Sequence, residues 1–363
     1  MFWHSIFGIA AFFSILLALV PNLLWLVSRC VGLLFGYHIP YAPFGWSSAV
    51  LVVIAWVFIL YGHYIGRFRS KVTQVEYSSA RLPQAFDGYR IVHISDLHVD
   101  SFDRPGHLEK LFKQIDDQNP DIILFTGDIT TSTLERVREY ESALCSLHAK
   151  DGVVSVLGNH DFFIYDRRFH TDAERNREAD RLTQYERQTL GWRVLRNESF
   201  ILHRVADSIA VAGVDNINGG QGFRTIQMGD LKRALNGLDG IFTVLLTHDP
   251  SHWKAEVLPK SHVQLTLSGH THAAQVRLLG WSPAHLMFNE CDGRYDHDGR
   301  MLYVNAGLGG VVPLRIGCPS EITVITLRHA TKSFDGRCDA IYLTKTEGDI
   351  PPSDIRALED FRP

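Results

Sequence analysis

Tyr89 to His98 reads YRIVHISDLH, a short apolar run that stops abruptly in Asp96-Leu97-His98. Pro105 to Gln118 follows with helical spacing of Leu108, Leu111, Phe112 and Ile115. A second apolar run, DIILFTGD, then ends at Asp128. Leu134 to His148 repeats the helical pattern, and VVSVLGNHD repeats the strand, stopping at Asn159. Strands alternating with helices predict βαβ units, whose functional groups gather beyond the carboxyl ends of the strands.

Past Asp161 comes an Arg-rich insertion. Thr171 and Glu174 are spaced as a capping box, which predicts a helix to about Leu190 and a cap beside the site. Further strand-like runs occupy Ser199 to His203 and Ile209 to Val214. IFTVLLTHD, HVQLTLSGH, MLYVNAG and EITVITL follow, so the second half is β-rich. Residues 1–71 are expected to form a membrane anchor, 72–330 the globular domain and 331–363 a polar tail.

The anchor is read from charge. Arg29 is the only Lys, Arg, Asp or Glu among the first 66 residues, although the whole chain has a formal charge of -4. Ile6 to Val27 and Ala49 to Ile65 are uncharged and about long enough to cross a hydrocarbon core, which predicts two transmembrane helices, with Pro21 kinking the first. Arg67, Arg69 and Lys71 follow the second span and assign the domain to the cytoplasmic side. The mild acidity of the chain gives no case for nucleic-acid binding. Two spans without internal acidic or basic residues argue against a channel. Five scattered cysteines without a C-x-x-C pair suggest neither a disulfide framework nor a zinc-thiolate site.

Five apolar runs end in metal-capable side chains: Asp96 with His98, Asp128, Asn159, His248, and His270 with His272. A rigid sheet can bring such distant residues within coordination distance. Carboxylate, amide oxygen and neutral imidazole suit manganese, zinc or iron. In D-x-H and H-x-H, extended backbone alternation would send both flanking side chains the same way. A bridging carboxylate such as Asp128 could hold two cations that polarise a phosphoryl group and lower the pKa of a shared water, the nucleophile.

These motifs resemble the calcineurin-like metallophosphoesterases, in the order D-x-H (Asp96 to His98), G-D (Gly127-Asp128), G-N-H-D (Gly158 to Asp161), His248 and G-H-x-H (Gly269 to His272). The resemblance implies an α/β fold, a four-layer β-sandwich flanked by helices, in place of the doubly wound sheet that the first half alone suggests. It implies two divalent metal ions, manganese favoured. One is held by Asp96, His98, Asp128 and His272, the other by Asp128, Asn159, His248 and His270. It further implies that His160 sits beside the phosphate, with Asp161 orienting it. The anchor, T-H-D-P around His248, S-G-H-T-H-A-A-Q and R-x-x-x-P-S-E-I resemble the YkuE-like and YaeI-like membrane-anchored branch, whose broader grouping includes UDP-diacylglucosamine pyrophosphatases.

The expected activity is hydrolysis of a phosphodiester or pyrophosphate, on a lipid-linked substrate at the bilayer surface, with membrane lipids as neighbours. The alternative is a non-catalytic, membrane-anchored metal-binding or interaction protein on the same fold. Arg167, Arg168 and Arg315 are candidate phosphate contacts. Acidic residues interleaved through the insertion favour a solvated helix face there. His93, inside the first run, reads as a sheet histidine.

Overall fold

The strand-like runs are apolar on both faces because each strand is covered twice, once by the opposite sheet and once by helices. The computed structural model describes residues 2–103, 105–222 and 226–330. The expected polar tail, 331–363, lies outside the described residues.

Two helices come first, α1 (Phe2–Phe35) and α2 (Ala42–Tyr64). Each is long and apolar enough to cross a membrane. The first extends beyond both ends of the expected span and continues through Pro21. The pair is pinned by polar contacts between otherwise apolar faces. Asn22 Nδ2 donates to Ser48 Oγ at 3.1 Å, and Trp56 Nε1 donates to Ser14 Oγ at 3.0 Å.

The rest of the described chain is a sandwich of two six-stranded sheets. Its strands are β1 (Ser70–Ser79), β2 (Arg90–Ile94), β3 (Ile122–Phe125), β4 (Val153–Ser155), β5 (Arg193–Val194) and β6 (Glu198–Arg204). Then come β7 (Asp207–Gly213), β8 (Phe242–Leu246), β9 (Leu265–Ser268), β10 (Gly293–His297), β11 (Arg300–Val304) and β12 (Ser320–His329). The first sheet has the order β1-β12-β2-β3-β4-β5 and the second β10-β11-β9-β8-β7-β6. The run β2 to β5 is parallel, as is β7-β8-β9-β11. Both sets therefore end toward a shared rim.

Between the sheets, Ile91, Leu124, Val154 and Ile325 pack with Val211, Val244, Leu265 and Tyr303. The outer face of the first sheet is covered by α3 (Pro105–Asp116), α4 (Leu134–Arg138), α5 (Glu141–Cys145) and α6 (Asp172–Gln188). Leu231, Ala234, Trp253 and Val257 cover the second. This is the four-layer arrangement expected from the motif set.

Two readings change in detail, and a third holds. The helical pattern of Leu134 to His148 divides into α4 and α5. Tyr140 leaves helical geometry between them and turns its buried hydroxyl to the Phe102 carbonyl at 2.7 Å. The capping box at Thr171 and Glu174 is present at the start of α6, but this helix is no cap. Ala179 and Leu182 are buried in the outer layer, as α6 is one wall of the fold. His93 is a sheet residue, fully buried, with Nε2 3.0 Å from Thr126 Oγ1.

Candidate metal centre

Asp96 and His98 follow β2, Asp128 follows β3, and Asn159 follows β4. His248 follows β8, and His270 with His272 follows β9. Ligand candidates from both sheets therefore meet at the common rim. Six of the seven are buried, and His270 is nearly so.

The backbone that aims them differs from the extended alternation expected of D-x-H and H-x-H. Asp96, His98, Asp128, His270 and His272 all have positive φ, between 37° and 72°. Side chains with a Cβ rarely accept this conformation, and it concentrates where function demands it. Past β2, β3 and β9 the chain turns left-handed and aims these side chains inward, whereas Asn159 after β4 is right-handed and His248 after β8 has no positive φ. Close approach matters too: a Cβ on Gly158 would lie 2.1 Å from Asp128 Oδ1, so the glycine before Asn159 lets the two loops touch.

Asp128 Oδ2 stands between two groups of donors. It is 3.5 Å from His98 Nε2 and 3.1 Å from His248 Nε2. On one side, His98 Nε2 and His272 Nε2 are 3.2 Å apart, and His272 Nε2 is 3.3 Å from Asp96 Oδ1. On the other, His248 Nε2 is 3.1 Å from Asn159 Oδ1 and 3.3 Å from His270 Nδ1. Asp128 Oδ2 itself is buried without a hydrogen-bond partner.

Neighbours fix the rings. His248 Nδ1 donates to the Thr126 carbonyl at 2.7 Å, which turns Nε2 toward Asp128. His98 Nδ1 is 2.8 Å from Thr131 Oγ1. His270 Nε2 is 3.8 Å from Asp249 Oδ2, and Asn218 Nδ2 donates to the same oxygen at 2.8 Å. The sequence reading assigned no role to Thr126, Thr131 or Asp249. An acidic residue directly after His248 was the one available signal.

Burial pushes Asp96 up to about 6, with His248 opposing and Asp128 reinforcing the shift. Burial also lowers His98 to about 3. For His248, burial acts downward, but Asp128 and Asp96 beside it outweigh this and raise it to about 10. The paired carboxylates thus demand positive charge at this point. Imidazoles, an amide oxygen and buried carboxylate oxygens converging there fit divalent cations.

His160 lines a cavity of 740 Å³ that opens on the centre, with its ring centroid 4.9 Å from that of His98. Asp161 does something other than orient His160. Its oxygens accept from the backbone N–H groups of Asp128 (2.6 Å), Ile129 (2.9 Å) and Gly158 (2.9 Å). It thereby fastens the loop after β3 to the loop after β4.

The candidate phosphate contacts lie elsewhere. Arg167 and Arg168 are on the surface, and Arg168 is paired with Asp166 at 2.7 Å. Arg315 is 2% exposed, and its guanidinium donates to the carbonyls of Ala306, Gly307, Gly309 and Cys318. None of the three lines the cavity. Its walls include Tyr165, Ala274, Ala284, Met287, Phe288 and Val311, from loops whose sequences carry no periodicity.

This fold carries a buried His/Asp cluster at its rim, and the family model for calcineurin-like phosphoesterases matches residues 89–274. The chain belongs to that family, a class of metal-dependent phosphoester and pyrophosphate hydrolases. It is 30% identical over 298 residues to a transmembrane protein with metallophosphoesterase domain from Danio rerio, covering 78% of this chain and 63% of that protein. It is 30% identical to the metallophosphoesterase YkuE of Bacillus subtilis, over 74% of this chain and 89% of YkuE. It is 28% identical to the UDP-2,3-diacylglucosamine pyrophosphatase LpxG of Chlamydia muridarum, over 70% and 88% respectively.

Proposed function

We propose that this chain is a membrane-anchored, dinuclear metal-dependent hydrolase of lipid-linked phosphodiesters or pyrophosphates. The observation that carries the reading is Asp128 Oδ2, buried and central to two donor sets. Asp96, His98, Asp128 and His272 would hold one cation. Asp128, Asn159, His248 and His270 would hold the other. Manganese suits this mixed oxygen and nitrogen set, and zinc or iron is compatible. Such a pair supplies Lewis acidity to the phosphoryl oxygens and activates a water as nucleophile.

The protein's own groups do the rest. Thr126, Thr131 and Asp249 hold three imidazoles in register, and Asp161 ties two ligand loops together. His160, at the cavity wall, stabilises the phosphoryl group or gives a proton to the departing oxygen. Helices α1 and α2 span the bilayer, with Arg67, Arg69 and Lys71 marking the cytoplasmic side. The largely apolar cavity wall and the likeness to a protein named for a diacylglucosamine substrate both support a lipid-linked phosphate.

Purified full-length protein loaded with manganese should be offered bis-aryl phosphate, mono-aryl phosphate and UDP-diacylglucosamine. Hydrolysis of the diester or the pyrophosphate in preference to the monoester is expected. Metal-loaded protein that hydrolyses none of them would leave only the non-catalytic metal-binding reading.

A further inference from the structure

After His272 the chain buries Ala273 and Gln275 and then leaves the core. It runs out to a hairpin and comes back at Phe288, whose ring centroid is 5.6 Å from that of His270. At the tip, Leu278 and Trp281 exchange two backbone hydrogen bonds of 2.9 and 3.0 Å. Leu279 and Gly280 form the turn between them, both with positive φ. This is the two-residue turn of a hairpin, a place ordinarily filled by Asn, Asp or Gly. Here its first position is leucine, wholly exposed, and Leu278 and Trp281 beside it are about half exposed. Leu286, on the way back, is 78% exposed. Four large apolar side chains exposed along one stretch of loop are costly in water and mark a contact surface.

The position of this hairpin says what the contact is. Just before it, Arg277 N donates to the Ile316 carbonyl at 2.8 Å, and Ile316 N donates to the Gln275 carbonyl at 2.9 Å. Ile316, Leu314 and Val312 in turn pack on Ile9 and Ala10 of α1 and on Trp56 and Ile59 of α2. Arg315 N donates to the Gly62 carbonyl at 3.2 Å, and His63 Nδ1 donates to the Pro313 carbonyl at 2.8 Å. A Cβ on Gly66 would lie 2.0 Å from the Arg315 carbonyl, so the foot of α2 and this loop are in direct backbone contact. The apolar hairpin is thus attached through one strip of backbone to the feet of both apolar helices.

We propose that the Leu278–Trp281 hairpin, with Leu286, is an interfacial membrane anchor that dips into the same leaflet from which α1 and α2 emerge. The partner is the lipid bilayer itself. Leucine at the tip with tryptophan behind it is the arrangement of an element seated at the boundary of headgroups and acyl chains. The consequence reaches the metal centre, because the same loop supplies Ala284, Met287 and Phe288 to the cavity wall, and Val311 beside the α2-docked strip supplies another part. The mouth of the cavity then rests on the membrane surface, and an amphiphile can reach it without crossing water. This proposal rests on α1 and α2 being membrane spans.

The test is depth-dependent quenching in the full chain, with Cys30, Cys145 and Cys338 replaced by serine. An environment-sensitive fluorophore is placed in separate proteins at Leu279→Cys, Leu286→Cys, Leu16→Cys and Val205→Cys. Each is reconstituted into vesicles of phosphatidylcholine and phosphatidylglycerol, with and without doxyl-labelled lipid. Val205 is a wholly exposed apolar residue at the β6–β7 turn and serves as the aqueous reference, whereas Leu16 reports on α1. Labels at 279 and 286 should lose about half their emission to shallow doxyl groups, as expected roughly 5–10 Å into the interface, while that at 205 should lose little. Emission at 279 and 286 matching that at 205 would overturn the proposal. Quenching at 16 under those conditions would confine the failure to the hairpin, whereas none at 16 would also remove the membrane-span reading.

Discussion

Asp128, His160 and Asp161 lie within hydrogen-bonding reach of one another along two loops, yet their environments assign them different work. His160 N donates to Asp128 Oδ1 at 2.9 Å while its ring lines the cavity, where a substrate can reach it. Asp161 is committed to three backbone N–H groups. His160→Ala is therefore expected to lower kcat by on the order of 10²-fold or more, with metal content and melting temperature preserved. Asp161→Ala should do the reverse first. Three buried donors lose their acceptor, which costs on the order of 3 kcal/mol, and melting temperature and metal affinity should fall together. A comparison of thermal melts and metal content of the two variants checks the distinction. An unchanged melt for Asp161→Ala would contradict the fastening role. The residue types and their order were legible in the sequence, because strand ends and ligand chemistry coincide at Asp96, Asp128, Asn159, His248 and His270. The use of Asp161 was not, since its partners are backbone groups that any sequence would supply. Arg315 misled for a related reason: a guanidinium satisfied by carbonyls reads in sequence like one awaiting a phosphate.

At the scale of elements, α6 shows how burial overrides polar composition. Its charged residues suggested a solvated face beside the site, but Ala179, Leu182 and Tyr185 are enough to seat it on the first sheet. Near its end Glu186 is buried and accepts a hydrogen bond from Ser155 Oγ on β4 at 2.5 Å. Burial raises its carboxyl to about 7 from an ordinary value of 4.5, against the pull of Ser155 and Arg196. The folded state therefore keeps a proton that the unfolded state releases, and stability must fall as pH rises from about 4.5 to about 7. At about 1.4 kcal/mol per pH unit the loss is on the order of 3 kcal/mol. Glu186→Gln should remove this slope, so that thermal melts of the variant gain on the wild type between pH values of about 5 and about 8. Parallel curves for the two proteins would show that the carboxyl ionises freely. Periodicity and the capping box made α6 visible in the sequence, whereas its position depended on a sheet assembled from distant strands.

For the whole molecule, the parallel strands of the first sheet were foreseeable as βαβ units, but those of the second, read only as β-rich, and the sandwich itself were not. Pairing β1 with β12 joins Ser70 to Ser320 and Lys71 to Glu321, a contact across most of the chain that no local pattern encodes. Only the motif set, taken together as a resemblance, pointed to two sheets. The apolar helices were plain in composition. Their attachment through residues 312–316 to a loop of the cavity was not, because it depends on backbone approach at Gly62 and Gly66. That attachment links the anchor to the rim where both sheets deliver their ligands. The account stands or falls on whether Asp128 is shared between cations. Elemental analysis of purified full-length protein, alongside Asp128→Asn, is the most direct measurement. About two divalent ions per chain are predicted for the wild type. For the variant, no more than about one is predicted, with phosphodiester turnover reduced on the order of 10³-fold. Undiminished turnover by protein stripped of metal, or equal metal content and activity in the two proteins, would contradict it.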